Sequence, residues 1–572
     1  MDRITESLVN EFSKEYAIEK WTPDKRFEAL SAHLLIGRVL GENFDFEESL
    51  CGGGNDLGID AIAIIVNEQI VNHPDEIDEI AAKNGYLEVK FVFVQSETSA
   101  SFDGQKLGNF ADGIKEFFAA TPTLPRNSAI EDMAKIMAAV YAKSGKFTRG
   151  NPDVFAFYAT TGMWTGDAHL EAKRALKQSE IAETGGGIFR NAELVCIDRA
   201  RIQSSYNSLK NAVSRDFSFE RKTVVPDIPG VNEAYIGILP ALEFVKLVED
   251  EYGQIIKSIF YDNVRDWQDY NDVNAEIRNT VSNADQQMRF ALMNNGVTII
   301  AKTLRSTGNK FFIENYQIVN GCQTSHVLQQ NKGKLSNDVM VPLRLISSTN
   351  EEVISGIIKA TNRQTEVSEE QLLAVSEFQK DLESFFLSYS DKKSLFYERR
   401  SRQYNSRSDV EKVRIISPTN LIRAFSSMYL AVPHRTMRSY KSLLSTVGKD
   451  LFVSGHKLEL YYVAAYAFYK LEYFFRNGLI DSKYKVARFQ ILLALKISLI
   501  GAANSPLNSG KAEAKAKEME AILWDDENSA KAFLTAVQIV EEVQDGGGLD
   551  RDLVHTEQLT EKILAHKLVA KS

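Results

Sequence analysis

Cysteine is scarce in this sequence, and long apolar runs are missing from it. The three cysteines among 572 residues, Cys51, Cys196 and Cys322, lie far apart, which excludes a disulfide framework and zinc-ligand spacing and fits a reducing cytoplasm. The most apolar late run, residues 489–502, contains Lys496 and is too short to span a bilayer. The first 16 residues lack the apolar core of a signal peptide. We therefore expect a cytoplasmic protein without a membrane partner.

A net positive charge is also missing. The formal net charge is −10, so any contact with nucleic acid depends on local basic groups rather than on global attraction. In contrast, apolar residues make up 44% and aromatic residues 10% of the chain, which is ample for packed cores. The length favours a multidomain α/β protein. We place domains at residues 1–215, 216–440 and 441–572, because Pro226, Pro229 and Gly230 mark a break and the last part reads as helical.

The first domain shows an ordered series of helix and strand patterns. Strands are predicted at residues 61–66, 86–97, 154–160 and 192–197, with helices at 21–40 and 106–118. The order helix, strand, strand, helix, strand resembles the core of PD-(D/E)xK nucleases. That resemblance implies an Asp on one strand and a Glu or Gln two residues before a Lys on the next, which together bind Mg²⁺ or Mn²⁺ and cut a phosphodiester.

Two alignments of this motif compete in the sequence. One uses Glu88 and Lys90, and the other uses Gln95 and Glu97. If the two strands form an antiparallel hairpin, Asp60 lies beside Gln95, whereas Glu88 is displaced by about 20 Å at ~3.3 Å per residue. We therefore choose Asp60, Gln95 and Glu97 as metal ligands and catalytic residues.

The second alignment departs from the motif because Glu97 stands where a Lys is expected. Lys106, at the start of the next helix, is the candidate for the missing cation. Asp56 in the glycine-rich loop and Glu28 on the leading helix are further carboxylates for the same site. An inactive nuclease fold remains the alternative.

The central domain carries several separated motifs. They are NVR at residues 263–265, NNGVTII at 294–300, IVNGCQTS at 318–325 and Asn-Arg-Gln at 362–364. In this order they resemble the AIPR family of bacterial abortive-infection phage-resistance proteins, whose members often carry a PD-(D/E)xK-like N-terminal region. The resemblance implies an antiphage protein and a phage-derived trigger.

The polar residues of these motifs suit recognition rather than acid–base chemistry. Amides and hydroxyls do not titrate near neutral pH, but they bind base edges, ribose or backbone groups, and Arg matches phosphate. The predicted nucleic-acid or nucleotide ligands are Arg265, Asn294, Asn295, Asn320, Gly321, Gln323, Thr324, Asn362, Arg363, Gln364, Arg399 and Arg400. The alternative for each is a structural role in capping loops. For residues 318–325, that role is a strand–turn–helix in which Thr324 or Ser325 caps the helix.

Two further segments complete the sequence. Residues 392–414 hold eight basic and three acidic residues interleaved with aromatics, which suits either a nucleic-acid contact or a solvated helix face. The helical C-terminal region indicates a packing or oligomerisation module, which allows for a homo-oligomer. Together the patterns predict an antiphage, metal-dependent nuclease with DNA favoured over RNA as its substrate. The alternative is a non-catalytic sensor with a degenerate nuclease fold.

Overall fold

The protein forms two compact units. The computed structural model describes residues 1–572 apart from 42–43, 211–212, 251–252, 254, 261–271, 362–376, 400–402, 405–406, 408, 437–439, 503–504, 545–548, 550 and 567–572. Unit 1 combines residues 1–40 and 44–206 with residues 376–572, and unit 2 comprises 41–43 and 207–375. Packing thus groups both ends of the chain together, and the three predicted domains with boundaries at 215 and 440 stay a prediction about independent folding.

The N-terminal part of unit 1 is built around a five-stranded mixed sheet. The strands are β1 (Ala61–Val66), β2 (Gln69–Ile70), β3 (Val89–Glu97), β4 (Asp153–Thr160) and β5 (Asn191–Ile197), in the order β2-β1-β3-β4-β5. β3 pairs antiparallel with β1, and β3, β4 and β5 are mutually parallel. This order places the carboxyl ends of three strands at one edge of the sheet.

Helices flank this sheet. They are α1 (Arg3–Glu15), α2 (Pro23–Leu40), α3 (Pro74–Asn84), α4 (Gly104–Phe117), α5 (Ser128–Ala142), α6 (Ala168–Ala182) and α7 (Arg199–Lys210). All six residues of β1 are buried, as expected for a strand covered on both faces. On one face, Phe117 of α4 packs edge-on against Phe93 of β3, with ring centroids 5.3 Å apart. The four predicted strands are present in the predicted order, but β2 and α3 lie between the first two and were not predicted, and nothing identifies the fold as that of PD-(D/E)xK nucleases.

The second strand begins later than predicted. Residues 86–88 precede β3 rather than belong to it, because α3 ends at Gly85 in the left-handed region, with φ of 75°. The Asn67 side chain then binds both the Tyr86 carbonyl, at 3.1 Å, and the Glu88 N–H, at 2.7 Å. A side chain therefore satisfies backbone groups that a longer strand would have paired.

The C-terminal part of unit 1 is helical, as predicted. Its helices are α14 (Glu377–Leu387), α15 (Pro418–Tyr429), α16 (Tyr440–Leu444), α17 (Leu458–Arg476), α18 (Arg488–Ile500), α19 (Gly510–Trp524), α20 (Asp526–Glu542), α21 (Arg551–Val554) and α22 (Glu557–Leu564), with two short strands, β12 (Phe396–Tyr397) and β13 (Ile415–Ile416). Among the described residues, no helix is long and apolar enough to cross a membrane.

Buried ion pairs join the two ends of the chain within unit 1. Glu47, on a short 3-10 turn (Phe46–Ser49), binds Arg476 and Lys485, the latter at 2.5 Å. Arg488 binds the neighbouring Glu48 at 2.6 Å. The Glu47 side chain is only 4% exposed, so these charges lie in the interior and each depends on its partners. The helical region is therefore part of the frame that carries the N-terminal sheet.

Unit 2 contains a six-stranded mixed sheet in the order β6-β10-β9-β11-β8-β7. The strands are β6 (Ser214–Ser218), β7 (Arg221–Val224), β8 (Glu233–Pro240), β9 (Val297–Thr307), β10 (Lys310–Asn320) and β11 (Met340–Ser347). The helices are α8 (Ala241–Val248), α9 (Asp272–Ser282), α10 (Ala284–Gln287), α11 (Phe290–Met293), α12 (Cys322–Gln330) and α13 (Glu351–Thr361). β9 and β10 form a long antiparallel hairpin, and α12 follows directly from β10.

Candidate functional site

The antiparallel pairing of β1 and β3 decides which residues stand beside Asp60. Ala61 is opposite Val94 and Val66 is opposite Val89. The Asp60 N–H donates to the Val94 carbonyl at 2.9 Å, so Asp60 lies at the end of β3 that carries Gln95 and Glu97. The hairpin geometry predicted from the sequence is confirmed.

Glu88 and Lys90 lie at the opposite end of the same strand. Lys90 is opposite Ile65, near the far end of β1, and its ammonium forms an ion pair with Glu68. The literal Glu-x-Lys motif is therefore remote from Asp60 along the strand. At that end of the strand, Lys90 pairs with Glu68 and not with the Asp60 carboxylate.

Asp60 is a buried carboxylate held in a fixed orientation. Its Oδ2 accepts hydrogen bonds from the Ser96 N–H at 2.7 Å and from the Ser96 hydroxyl at 3.0 Å. The residue is 7% exposed. Burial, together with the negative charge of Glu28, raises the pKa of Asp60 to about 7, although the Ser96 hydrogen bonds and Lys25 act in the opposite direction. Ionisation of Asp60 is therefore unfavourable in this environment, and a bound cation would favour the charged form.

A second group of charges comes from helix α2. Lys25 binds Glu28 at 2.5 Å, one turn apart on the helix. Burial raises the pKa of Glu28, and Asp56 and Asp24 add to the effect against the opposing ion pair with Lys25. A Cβ on Gly52 would lie 2.2 Å from the Lys25 Nζ and 3.1 Å from the Glu28 Oε2, so the glycine-rich loop passes close to this pair.

Gln95 and Glu97 differ in how their polar groups are used. The buried Gln95 Oε1 has no hydrogen-bond partner in the part of the chain that the structure describes. Glu97 Oε2 binds the Lys106 Nζ at 2.5 Å, and this hydrogen bond is the main cause of the raised pKa of Lys106. The structure thus pairs Lys106 with Glu97, whereas the amide oxygen of Gln95 has no partner among the described residues.

The carboxylate and amide oxygens at this edge are of the kinds that bind a hard divalent cation, but they do not surround a metal site. Carboxylate and amide oxygens are the ligands that Mg²⁺ and Mn²⁺ prefer. Within the described residues, no three His, Cys, Asp or Glu side chains are grouped so as to hold a metal ion. A metal here would need the Gln95 amide as well as Asp60, and Glu97 would have to exchange Lys106 for the cation.

Ser96 and Lys25 also belong to this site, and neither was predicted from the sequence. Ser96 lies between the two proposed ligands on β3, yet it is the residue that orients Asp60 through two hydrogen bonds. The alternation of side chains along a strand drew attention to Gln95 and Glu97 only. Lys25 stands three residues before Glu28, and this helical spacing was a usable signal for the ion pair.

In unit 2, the turn after β10 is shaped by a glycine. Gly321 has φ of 102°, and α12 begins at the next residue without a side-chain cap. A Cβ on Gly321 would lie 2.7 Å from the Val297 Cγ2, so only glycine fits. The predicted cap at Thr324 or Ser325 is therefore wrong: both residues lie inside the helix, and the Ser325 hydroxyl donates to the Gly321 carbonyl at 2.8 Å.

Two of the predicted amide motifs meet at this turn. The Asn294 Nδ2 donates to the Thr324 hydroxyl at 3.0 Å, and its Oδ1 accepts from the Gly296 N–H at 2.9 Å. Asn320 lies opposite Thr298 in the hairpin. Among the other predicted ligands in these two motifs, Gln323 and Thr324 are buried, whereas Asn295 is exposed. The structure therefore joins Asn294 to Thr324, and a hydrogen bond between motifs explains part of their polarity without any ligand.

The remaining predicted ligands divide into two groups. Arg265, Asn362, Arg363, Gln364 and Arg400 lie outside the described residues. Arg399 lies in the interior of unit 1, 4% exposed, and its Nε binds Glu383 at 2.8 Å. The prediction that Arg399 contacts nucleic acid is at odds with this placement, because its guanidinium binds a carboxylate on α14.

The basic segment 392–414 also makes internal contacts. Arg414 binds Glu411 at 2.7 Å, and the Lys393 Nζ lies 3.9 Å from the centroid of the Trp524 ring. Phe396 and Tyr404 pack together, with ring centroids 5.4 Å apart. These described members of the segment make contacts within unit 1, and they do not form the solvated helix face that was the alternative prediction.

Comparison with known proteins gives one assignment. No curated protein and no solved structure matches the chain. A family model described as AIPR protein matches residues 260–545, half of the chain, and includes all four central motifs. The match begins after the N-terminal sheet, so it does not bear on Asp60 or its neighbours. On this match, the chain belongs to the AIPR family.

Proposed function

We propose that the protein is a metal-dependent nuclease that acts in abortive infection against phage. The family points to the antiphage role. Support for the nuclease part comes from one observation: Asp60, with its pKa raised to about 7, lies at the end of β3 that carries Gln95 and Glu97. A buried carboxylate with a strongly raised pKa is typical of a functional site.

Each residue of the site has a proposed role. Asp60, Gln95 and Glu97 would hold Mg²⁺ or Mn²⁺, and Ser96 would keep the Asp60 carboxylate aimed at it. The metal would polarise the scissile phosphate and activate water. Lys106, which already reaches Glu97 at 2.5 Å, would supply the cation that the motif otherwise lacks. The substrate would be nucleic acid, with DNA favoured, and the turn around Gly321 in unit 2 would recognise nucleic acid or a nucleotide.

The test is cleavage of single- and double-stranded DNA and of RNA by the full chain, with Mg²⁺, with Mn²⁺ and with a chelator. We expect Asp60→Asn to abolish cleavage and phage protection in bacteria that express the protein. Glu88→Gln is the matched control, because it removes a carboxylate just before the other end of β3 and should leave cleavage intact. Equal loss in both variants would indicate a folding defect rather than a metal site.

A second candidate function is a sensor without nuclease activity. It is favoured by the absence of a grouped carboxylate cage among the described residues and by the ion pair that occupies Glu97. If Asp60→Asn retains phage protection while Asn320→Ala in the unit 2 turn loses it, the protein acts through recognition alone.

A further inference from the structure

A cavity lies at the carboxyl ends of the three parallel strands of unit 1. Its volume is about 460 Å³, and its walls come from the loops that follow β3, β4 and β5. Ligands of open α/β sheets bind in this position, outside the carboxyl ends of the strands. A volume of this size is in the range of small-molecule sites.

The loops around the cavity are tied to one another. The Thr161 N–H donates to the Glu97 carbonyl at 3.3 Å, and the Thr161 hydroxyl donates to the Thr98 carbonyl at 3.1 Å. The Arg199 N–H donates to the Gly162 carbonyl at 3.0 Å. A Cβ on Gly162 would lie 2.4 Å from the Ala100 carbonyl oxygen, so the first two loops are in close contact. The cavity is therefore preformed.

The lining divides into a cationic and an apolar part. Arg199 supplies the cation, and one N–H of its guanidinium donates to the Met163 Sδ at 3.0 Å. The one carboxylate of the lining, Asp2, accepts hydrogen bonds from the Ile4 and Thr5 N–H groups at 3.0 and 3.2 Å at the start of α1, and the charge of Arg199 is one of the causes that lower its pKa. A guanidinium in the lining of a cavity suits a phosphate.

The apolar part suits a planar ring. Phe102 and Leu170 line the cavity, and Phe102 is held edge-on against Trp164, with ring centroids 4.8 Å apart. The hydroxyls of Ser101 and Thr165 lie in the same lining and can bind sugar or base edges. A phosphate-binding Arg, two hydroxyls and an aromatic ring together match the parts of a nucleotide.

We propose that this cavity binds one nucleotide unit, with its phosphate at Arg199 and its base against Phe102. Thr161, which lines the cavity, donates a hydrogen bond to the Glu97 carbonyl, and residues 98–103 connect Glu97 to the helix that carries Lys106. A nucleotide here would therefore be the one that flanks the bond to be cut. In that form the inference rests on the nuclease function proposed above; a free nucleotide would bind through the same chemistry.

Binding can be tested separately from cleavage. The full chain carrying Asp60→Asn, in a chelating buffer, is titrated with deoxyadenosine monophosphate and with a mixed-sequence 12-nucleotide single-stranded DNA. Adding Arg199→Ala should weaken binding at least 10-fold, since a charged hydrogen-bond partner of the phosphate is lost. Arg199→Lys should fall between the two, because Lys provides charge without the bidentate geometry. Arg221→Ala, at an exposed position of β7 in unit 2, is the matched control and should change nothing.

A second variant guards against a folding defect. Thr165 is exposed at the cavity, so Thr165→Trp should block it without disturbing the core and should weaken binding as Arg199→Ala does. Binding of the monophosphate identifies a free nucleotide as the ligand, and binding of the DNA alone identifies a strand. If neither probe binds, or if Arg199→Ala binds as tightly as its parent, the inference is overturned. If the chain with Asp60 intact binds the probes but does not cleave nucleic acid with Mg²⁺ or Mn²⁺, only the nuclease proposal is overturned.

Discussion

Asp60→Asn provides the sharpest test of the N-terminal site, because it should raise stability while it removes activity. Burial and Glu28 raise the pKa of Asp60 from 3.8 to about 7. At ~1.36 kcal/mol per pKa unit, ionising this side chain in the folded protein is unfavourable by about 4 kcal/mol. Asn has no charge to bury, and its Oδ1 can still accept from Ser96 as the neutral carboxyl does. We therefore expect a net gain of about 4 kcal/mol at pH 8 without metal.

The difference in the free energy of unfolding between the two proteins should depend on pH, and its sign follows from the raised pKa of Asp60. The folded state binds a proton at Asp60 more tightly than the unfolded state does, so this group's contribution to the free energy of unfolding is lost as the pH rises from about 4 to about 7. In the Asn variant that loss should be missing. The two proteins should therefore be similar in stability near pH 4 and should diverge towards pH 8.

Urea denaturation in a chelating buffer at several pH values measures this difference directly. Adding Mg²⁺ should stabilise the wild type, since it binds the folded state, and should leave the variant unchanged. Asp112→Asn is the control, because Asp112 is 53% exposed and pairs with surface lysines. A variant that is less stable than the wild type by the same amount at every pH would refute the reasoning and would make Asp60 a purely structural acceptor.

Two further substitutions test the frame and the turn. Glu47→Ala should lower the free energy of unfolding by about 3 kcal/mol, since it strands two cations in the interior, and urea titration would show no change if the ion pairs are solvated instead. Gly321→Ala should cost about 2 kcal/mol, because the residue has φ of 102° and its Cβ would meet Val297, and an unaltered melting temperature would contradict that geometry.

Sequence patterns predicted the first sheet well because its strands are buried on both faces. A continuous apolar run such as residues 61–66 favours a strand that is covered on both faces. Alternation of side chains then placed Gln95 and Glu97 on one face of their strand. Hairpin geometry was enough to choose Gln95 over Glu88. What the patterns did not contain was the orientation of Asp60, because a Ser between two ligands carries no periodic signal.

Charged residues were the weakest point of the prediction. No prediction was made for Glu47 and Glu48, and Arg399 was predicted to contact nucleic acid. In the structure these residues are ion-paired, with partners that are 16 residues away for Arg399 and more than 400 away for Glu47 and Glu48. Local sequence cannot distinguish an exposed charge from one that finds a distant partner, since the composition of the segment is the same in both cases.

These distant ion pairs also change the meaning of the family match. Residues 260–545 include Arg476, Lys485 and Arg488, which are the cations that bury Glu47 and Glu48 of the N-terminal segment. The family region therefore supplies part of the frame on which the Asp60 site is built, although it does not contain that site. A fragment that ends near residue 215 would keep the proposed catalytic residues but would leave two acidic side chains without their partners. Activity should therefore be measured on the full chain, because its loss in the fragment would report on this frame and not on Asp60.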